Sequence, residues 1–414
     1  MAKKKSKMNE QVRIQQEQAR YRKMYIEKLQ YYCDTYGGKG TFALIPLKYV
    51  DRLYKCRMHP LKIVPAPGCT IDTQTHKYIH KLLYSVLHSM KIVIGNSLPD
   101  ITLDEFIVFG QALTLIQTLH ENSEIVSWKI ELKKRLAIFS NEDLRTTIVD
   151  KKFHLMTNVG CMLSDMQVQI ILLTYDLTVT ESGGENIVYL DAVKPKVKYF
   201  KLPEGSRPAH RVTWPIKYKG IKEFSITSSM WDSSSTFANL PIDVYIQSHA
   251  LQRLLERIDV YSSNHTQINM VISLINPVII RTGKNTGLIG YSINEHKYGY
   301  FACEYIDGDI LIKTFLFLTN NGTPEGQKLN ELTGLKKEDK KYLAIDRLSS
   351  FIASDIEQNQ TLKKLFIESG CESLLHAAEH LHLTKETFNQ FDSTALIEDY
   401  IKNEPMPIFE DILS

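Results

Sequence analysis

Three side chains that could do chemistry recur at four-residue intervals: His249, Arg253 and Arg257. Residues four apart lie on the same side of an α-helix. An imidazole can accept or deliver a proton near neutral pH, and guanidinium groups bind phosphate. Together they predict metal-free cleavage of RNA, in which the ribose 2′-hydroxyl is the nucleophile and no Ser, Cys or metal ion is needed. Any amphipathic surface helix shows the same spacing, so a purely structural interpretation stays open.

A helix and a sheet must position these side chains. Apolar residues at i, i+3, i+4 and i+7 predict a helix packed on a core, and they are Leu251, Leu254, Leu255 and Ile258. Four β-rich segments follow, with the sequences NPVIIRT, GLIGYSI, YGYFACEYI and DILIKTFLFLT. We therefore predict a helix on an antiparallel sheet over residues 246–328. Lys313 and Thr319 join the catalytic candidates because they could project from the open surface of that sheet.

Residues 246–328 of the 414 also resemble a known family. The run Ser248-His249-Ala250, with Arg253 and Arg257 and a β-meander ending in KTFLFLT, resembles the barnase/colicin/RelE-type ribonuclease toxins. Those are small domains in which a helix packs on a twisted antiparallel sheet. The resemblance implies that His249 is a general acid or base and that Arg253 and Arg257 bind phosphate. The resemblance also adds Thr319, on the last predicted strand, to the catalytic candidates. Lys313 is a candidate on chemical grounds alone.

A second set of candidates lies in the segment SRPAHRVTWPIKYKGIK, where basic and aromatic residues alternate. Such interleaving can hold a single-stranded backbone and stack its bases. The nucleic-acid-binding candidates are Arg207, Arg211, Trp214, Lys217 and Tyr218. A strand with one solvent-exposed face gives the same alternation, so that interpretation stays open as well.

Two further clusters do not fit the ligand sites they suggest. Lys39 among Gly37, Gly38 and Gly40 lacks the spacing of a phosphate-binding loop, and we predict a turn followed by a strand. A zinc site is suggested by Cys56, His59, Cys69, His76 and His80. Only Cys56 and His59 have the spacing of paired zinc ligands, so we predict neither a metal ion nor a cofactor.

The C-terminal part contains a segment, residues 373–391, whose layout is that of a helix-turn-helix. Its second helix would carry one basic residue, Lys385, beside Glu386, which is poor for reading DNA. A helical hairpin that packs on the protein itself is the better prediction. The acidic C-terminal end suits docking on a basic surface.

Composition indicates a soluble chain of several domains, with 43% hydrophobic and 23% charged residues. A formal net charge of +3 gives no whole-protein argument for nucleic acid, although local basic patches stay open. The six scattered cysteines predict reduced thiols in a cytoplasm, and the apolar runs are too short to cross a membrane. The candidate partners are RNA, another protein or a second copy of the chain. We expect no interaction with a membrane.

The fold class that follows is α+β. We predict a basic helical arm (residues 1–30), an α-rich domain (31–149), an antiparallel β-rich domain (150–240), a helix plus antiparallel sheet unit (241–333) and a helical C-terminal region (334–414). Within them, helices are expected at 75–90, 102–120, 123–139 and 336–357. Two functions stay open. One is an RNA-cleaving or RNA-binding effector of toxin type; the other is a non-enzymatic assembly or interaction protein of a phage or mobile element.

Overall fold

The computed structural model describes residues 2–95, 97–118, 127–180, 183–216, 219–232 and 239–384, together with residues 394, 397, 398 and 400. It confirms the α+β class, with helices at both ends of the described chain and sheets between them. The chain forms two compact units. The first comprises Met1–Val159 and Leu172–Ala192, and the second Gly160–Ile171 and Val193–Ser414. The boundaries of the five predicted regions stay a prediction.

The chain as far as Val193 is mainly helical. Its helices are α1 (Ala2–Gly37), α2 (Leu47–Lys55), α3 (Thr73–Ser89), α4 (Leu103–Glu105), α5 (Gln111–Thr118), α6 (Ser127–Arg135) and α7 (Glu142–Leu163). Its strands are β1 (Lys62–Pro65), β2 (Lys91–Ile92), β3 (Ile101–Thr102), β4 (Ile170–Thr180) and β5 (Gly183–Val193). Strands β1, β5 and β4 form one sheet in that order.

Three predictions for this part need correction. A 3₁₀ turn and α2 follow the glycines instead of a strand, because Tyr49, Val50 and Leu53 are buried at helical spacing. A π-helical segment, Phe106–Gly110, joins α4 to α5 within the expected helix 102–120. Helix α7 extends into the region expected to be β-rich. Buried apolar residues recur in it at helical spacing, among them Ile148, Leu155, Met156 and Val159.

Residues 2–30 of the predicted basic helical arm lie within α1. Tyr25 and Leu29 of that helix are fully buried, so the helix is anchored in the first unit at this point. Asp72 starts α3 by accepting hydrogen bonds from the backbone N–H groups of Gln74 and Thr75, both at 2.9 Å. None of the helices in the described ranges combines the length and apolar character that a membrane span requires.

The second unit contains the predicted helix and strands. The strands are β6 (Val197–Leu202), β7 (Gly205–Arg211), β8 (Thr213–Ile216), β9 (Gly220–Glu223), β10 (Ser225–Thr227), β11 (Pro241–Ile246), β12 (Ile279–Arg281), β13 (Thr286–Ile293), β14 (His296–Ile306) and β15 (Asp309–Phe317). The helices are α8 (Ser228–Trp231), α9 (Ser248–Arg257), α10 (Ser263–Ile275), α11 (Pro324–Thr333), α12 (Lys337–Tyr342), α13 (Leu348–Ala353), α14 (Gln360–Glu368), α15 (Glu372–Leu375) and α16 (Ala377–His380).

One sheet joins the two regions that were expected to be separate, with the order β12-β13-β14-β15-β11-β7-β6 and with β10 beside β11. Strands β12 to β15 are antiparallel neighbours, as predicted. Strand β11, however, runs parallel to β15, so the sheet is mixed. Parallel neighbours need a long connection. Residues 247–308 supply it, and they include α10, which was not predicted.

Helix α9 packs on the sheet through its apolar side. Leu251, Leu254 and Ile258 are almost completely buried, as the periodicity predicts, and the helix packs against β15. Burying each such side chain contributes about 1.5–3 kcal/mol. The N–H of Gln247 donates to the carbonyl of Ile312 in β15 at 3.0 Å, which fixes where the helix begins on the sheet.

The expected helix 336–357 is broken into α12, α13 and a 3₁₀ turn, Ile356–Gln358. Between α12 and α13 the chain adopts a positive φ of 54° at Ala344, and the Ile345 carbonyl accepts a hydrogen bond from Thr319. Tertiary bonds to this segment therefore replace helical ones. In the helix-turn-helix candidate only α15, α16 and a turn with a φ of 54° at His382 are described. Lys385 and Glu386 lie outside the described residues.

Candidate functional site

The structure brings His249, Arg253 and Arg257 into one cleft of about 430 Å³. His249 lies in the first turn of α9, with the two arginines one and two turns further on. The other lining residues are Thr314, Phe315, Leu316, Asn320, Asn321, Gly322, Lys337 and Lys341. His249 is exposed, and it makes no side-chain hydrogen bond with the described part of the chain.

A second cleft of about 610 Å³ shares His249 and Thr314 with the first. Its remaining lining comes from the β6–β7 hairpin, from the start of α9 and from β15, and comprises Leu202, Glu204, Arg207, Pro208, Gln247, Ser248 and Lys313. We call the two clefts together the α9 groove. His249 lies where they meet, so a ligand that occupies both clefts must pass its imidazole.

The two arginines of α9 have different surroundings. Arg253 is half-exposed and pairs with Glu256 at 2.6 Å, a surface pair that competes weakly with a ligand. Arg257 is 16% exposed, pairs with the carboxylate of Asp346 and donates to the Asp346 carbonyl at 3.1 Å. Burial lowers the pKa of Arg257, and the nearby charge of Arg253 acts in the same direction. The carboxylate of Asp346 already balances the charge of Arg257. The role of Arg257 as a phosphate ligand therefore stays a prediction.

The two candidates from the sheet also differ. Lys313 lines the second cleft, and its ammonium group pairs with the carboxylate of Glu304 at 3.1 Å. This pair partly balances the charge of Lys313. Thr319 is fully buried, and its hydroxyl donates to the Ile345 carbonyl at 2.6 Å. The structure therefore does not bring Thr319 to the α9 groove. Its hydrogen bond holds the segment between α12 and α13.

The nucleic-acid-binding candidates separate into three groups. Arg207 is exposed, lines the second cleft and has no ion-pair partner among the described residues. Arg211 and Trp214 are each 2% exposed and belong to the interior, where Arg211 pairs with Asp243 at 2.6 Å. The alternation of basic and aromatic residues therefore does not form one surface at these positions. Lys217 and Tyr218 lie outside the described residues.

Sequence reasoning missed the lysines of α12. Lys337 and Lys341 are exposed and line the first cleft, and neither forms an ion pair within the described ranges. The signal was present in the run KKEDKK, where two lysines four apart share one side of a helix. That run was interpreted only as part of a longer helix.

The cysteine and histidine cluster near residue 60 forms no metal site in the described part of the chain. His76 is bonded through Nε2 to the Ile63 carbonyl at 2.8 Å. Across the described ranges, no three His, Cys, Asp or Glu side chains come together as metal ligands would.

Comparison with protein-family models, curated proteins and solved structures returns no match for this chain. A function for this chain is therefore inferred from the α9 groove itself.

Proposed function

We propose that this protein binds single-stranded RNA in the α9 groove and cleaves it there with His249. The observation that carries the proposal is that the exposed imidazole lies at the junction of two clefts flanked by Arg207 and Arg253. Clefts of several hundred Å³ match ligands of about the size of a nucleotide. Arginine side chains attract the phosphate backbone whatever the base sequence.

The chemistry needs only the chain's own groups and the RNA. The ribose 2′-oxygen attacks the adjacent phosphorus, and the bond from phosphorus to the 5′-oxygen breaks. This leaves a 2′,3′-cyclic phosphate and a 5′-hydroxyl. His249 serves one of the two proton transfers, solvent serves the other, and Arg253 stabilises the charge that develops on the phosphate oxygens.

A chelator-resistant RNA cleavage assay tests this proposal. Purified protein with mixed RNA and excess EDTA is expected to form 2′,3′-cyclic phosphate ends. His249→Ala is expected to lower the rate by about 10²–10⁴-fold, which is the usual contribution of general acid–base catalysis. His265→Ala is the matched control, since His265 is an exposed histidine of α10 outside both clefts. Equal rates for the two variants, or no cleavage by the unaltered chain, would refute a catalytic His249.

A second candidate function is binding or assembly without catalysis. It is favoured by the structural engagement of Arg257 and Thr319, which leaves His249, Arg253 and Lys313 as the accessible part of the predicted catalytic set. The α/β unit would then be a scaffold, as in an assembly protein of a phage or mobile element. RNA binding without cleavage would indicate a binding protein. Stable oligomers in light scattering, without RNA binding, would indicate assembly.

A further inference from the structure

The cleft between α9 and α12 is lined by cationic and neutral side chains alone. Three of its cationic residues are Arg253, Lys337 and Lys341, and no carboxylate is among its lining residues. Two acidic side chains pair with the arginines of this cleft without lining it themselves: Glu256 pairs with Arg253, and Asp346 pairs with Arg257. Lys337 and Lys341 form no such pair within the described ranges. The cleft is therefore suited to an anion.

Helix α12 is held so that two lysines face outward. Lys340, between them, is 1% exposed and donates to the Gly326 carbonyl at 2.8 Å and to the Asn321 side chain. Burial lowers the pKa of Lys340 to about 8. Because Lys340 binds α12 to Asn321 and to Gly326 of α11, Lys337 and Lys341 are carried by a helix that is held in place. The two lysines are four residues apart in α12, which is about one helical turn.

Two backbone N–H groups belong to residues that line the same cleft. The N–H groups of Asn321 and Gly322 have no acceptor in the part of the chain that the structure describes, and both residues line the cleft. The turn that contains Asn321 and Gly322 is fixed on one side by the Asn320 side chain, which accepts a hydrogen bond from the Phe317 N–H at 2.7 Å. Free amides next to lysines are a recurring way to bind phosphate oxygens.

We infer that Lys337 and Lys341, with the amides of Asn321 and Gly322, form a phosphate subsite for the RNA backbone next to the nucleotide at His249. The inference rests on the proposed function and extends it. It assigns the phosphate binding on this side of His249 to α12 rather than to Arg257. Since the contacts are to phosphate, they hold single-stranded RNA without selecting its sequence.

The test is the salt dependence of binding. Fluorescence anisotropy measures the affinity of the full chain for a labelled single-stranded oligoribonucleotide over a series of salt concentrations. Each lost phosphate contact lowers the slope of log K against log salt by about 0.7 for a single strand. The double variant Lys337→Ala/Lys341→Ala is therefore expected to bind more weakly, with a slope reduced by about 1.4.

A matched control removes the same charge elsewhere. Lys284 and Lys328 are exposed, lie outside both clefts and have no ion pair among the residues described. Lys284→Ala/Lys328→Ala is expected to keep the slope of the unaltered chain. Thermal unfolding of both double variants is expected to match that of the unaltered chain, because all four side chains are exposed.

The outcomes separate the two proposals. A slope that falls only in the α12 variant supports the subsite. If the unaltered chain binds RNA and the α12 variant keeps its slope, the subsite is refuted while the proposed function stands. If the unaltered chain does not bind RNA, both are refuted. An acidic peptide of equal charge that displaces the RNA at lower concentration would instead assign the subsite to a protein ligand.

Discussion

At the scale of single residues, accessibility separates candidates that share the same chemistry. Arg253 and Arg257 have the same side chain and lie one turn apart. The first has a half-exposed partner on its own helix, and the second has a buried carboxylate from another segment. Arg253 is therefore free to exchange its partner for a phosphate. Arg257 is better explained as a support that holds α9 to the segment before α13.

The pair between Arg257 and Asp346 gives a stability prediction. Asp346→Asn removes the charge that balances a largely buried guanidinium, and we expect the free energy of unfolding to fall by about 3 kcal/mol. Glu256→Gln, which removes the exposed partner of Arg253, is expected to cost less than about 1 kcal/mol. Urea unfolding of both variants checks this difference. Equal costs would show that Arg257 is not a structural residue.

At the scale of elements, α16 packs against the β13–β14 turn through two histidine rings. The rings of His296 and His380 are stacked, with their centroids 3.4 Å apart and their planes at an angle of 4°. The Asn294 side chain donates to the His380 carbonyl at 3.0 Å. Burial lowers the pKa of His380 from its usual value of 6.5, and the nearby His296 and His376 also lower it, against a smaller opposite effect of Glu379. Glu357 pairs with His376 at 3.3 Å.

This stack predicts an acid-sensitive contact. Because the folded pKa of His380 lies below its unfolded value, the unfolded chain binds more protons between the two values. The stability contributed by neutral His380 is therefore present above pH 6.5 and is lost as the pH falls towards the folded pKa. His380→Phe keeps a flat ring without a charge, and it is expected to make stability less dependent on pH between about 5 and 7. Urea unfolding across this range measures the effect, and an unchanged pH dependence would contradict it.

At the scale of the whole molecule, the α9 groove belongs entirely to the second unit, and the mixed sheet is what assembles it. Strand β7 supplies Arg207, and β15 supplies Thr314, which lines both clefts together with His249. These strands reach the same groove because β11 lies between β7 and β15. A net charge of +3 does not predict such a groove, since its cations are gathered locally from distant parts of the chain.

The central position of β11 predicts that both sides of the sheet unfold together. Ile246 is fully buried at the end of this strand and is paired with β7 and β15. Ile246→Ala is expected to cost about 2–5 kcal/mol. Amide hydrogen exchange is expected to show the same loss of protection in β7 and in β14. Loss on one side alone would indicate two separately folding domains divided near residue 240.

The sequence by itself determined the helix at His249 and the four strands after it, because hydrophobic periodicity is a local property of the chain. It missed α10 and the parallel pairing of β11, which depend on how the connection returns to the sheet. Only the tertiary structure decided which cations are accessible. The Asp346 carbonyl that binds Arg257 is 89 residues away in the chain, and Lys337 and Lys341 enter the groove from α12. Burial and ion pairing depend on such distant partners, which residue spacing does not specify.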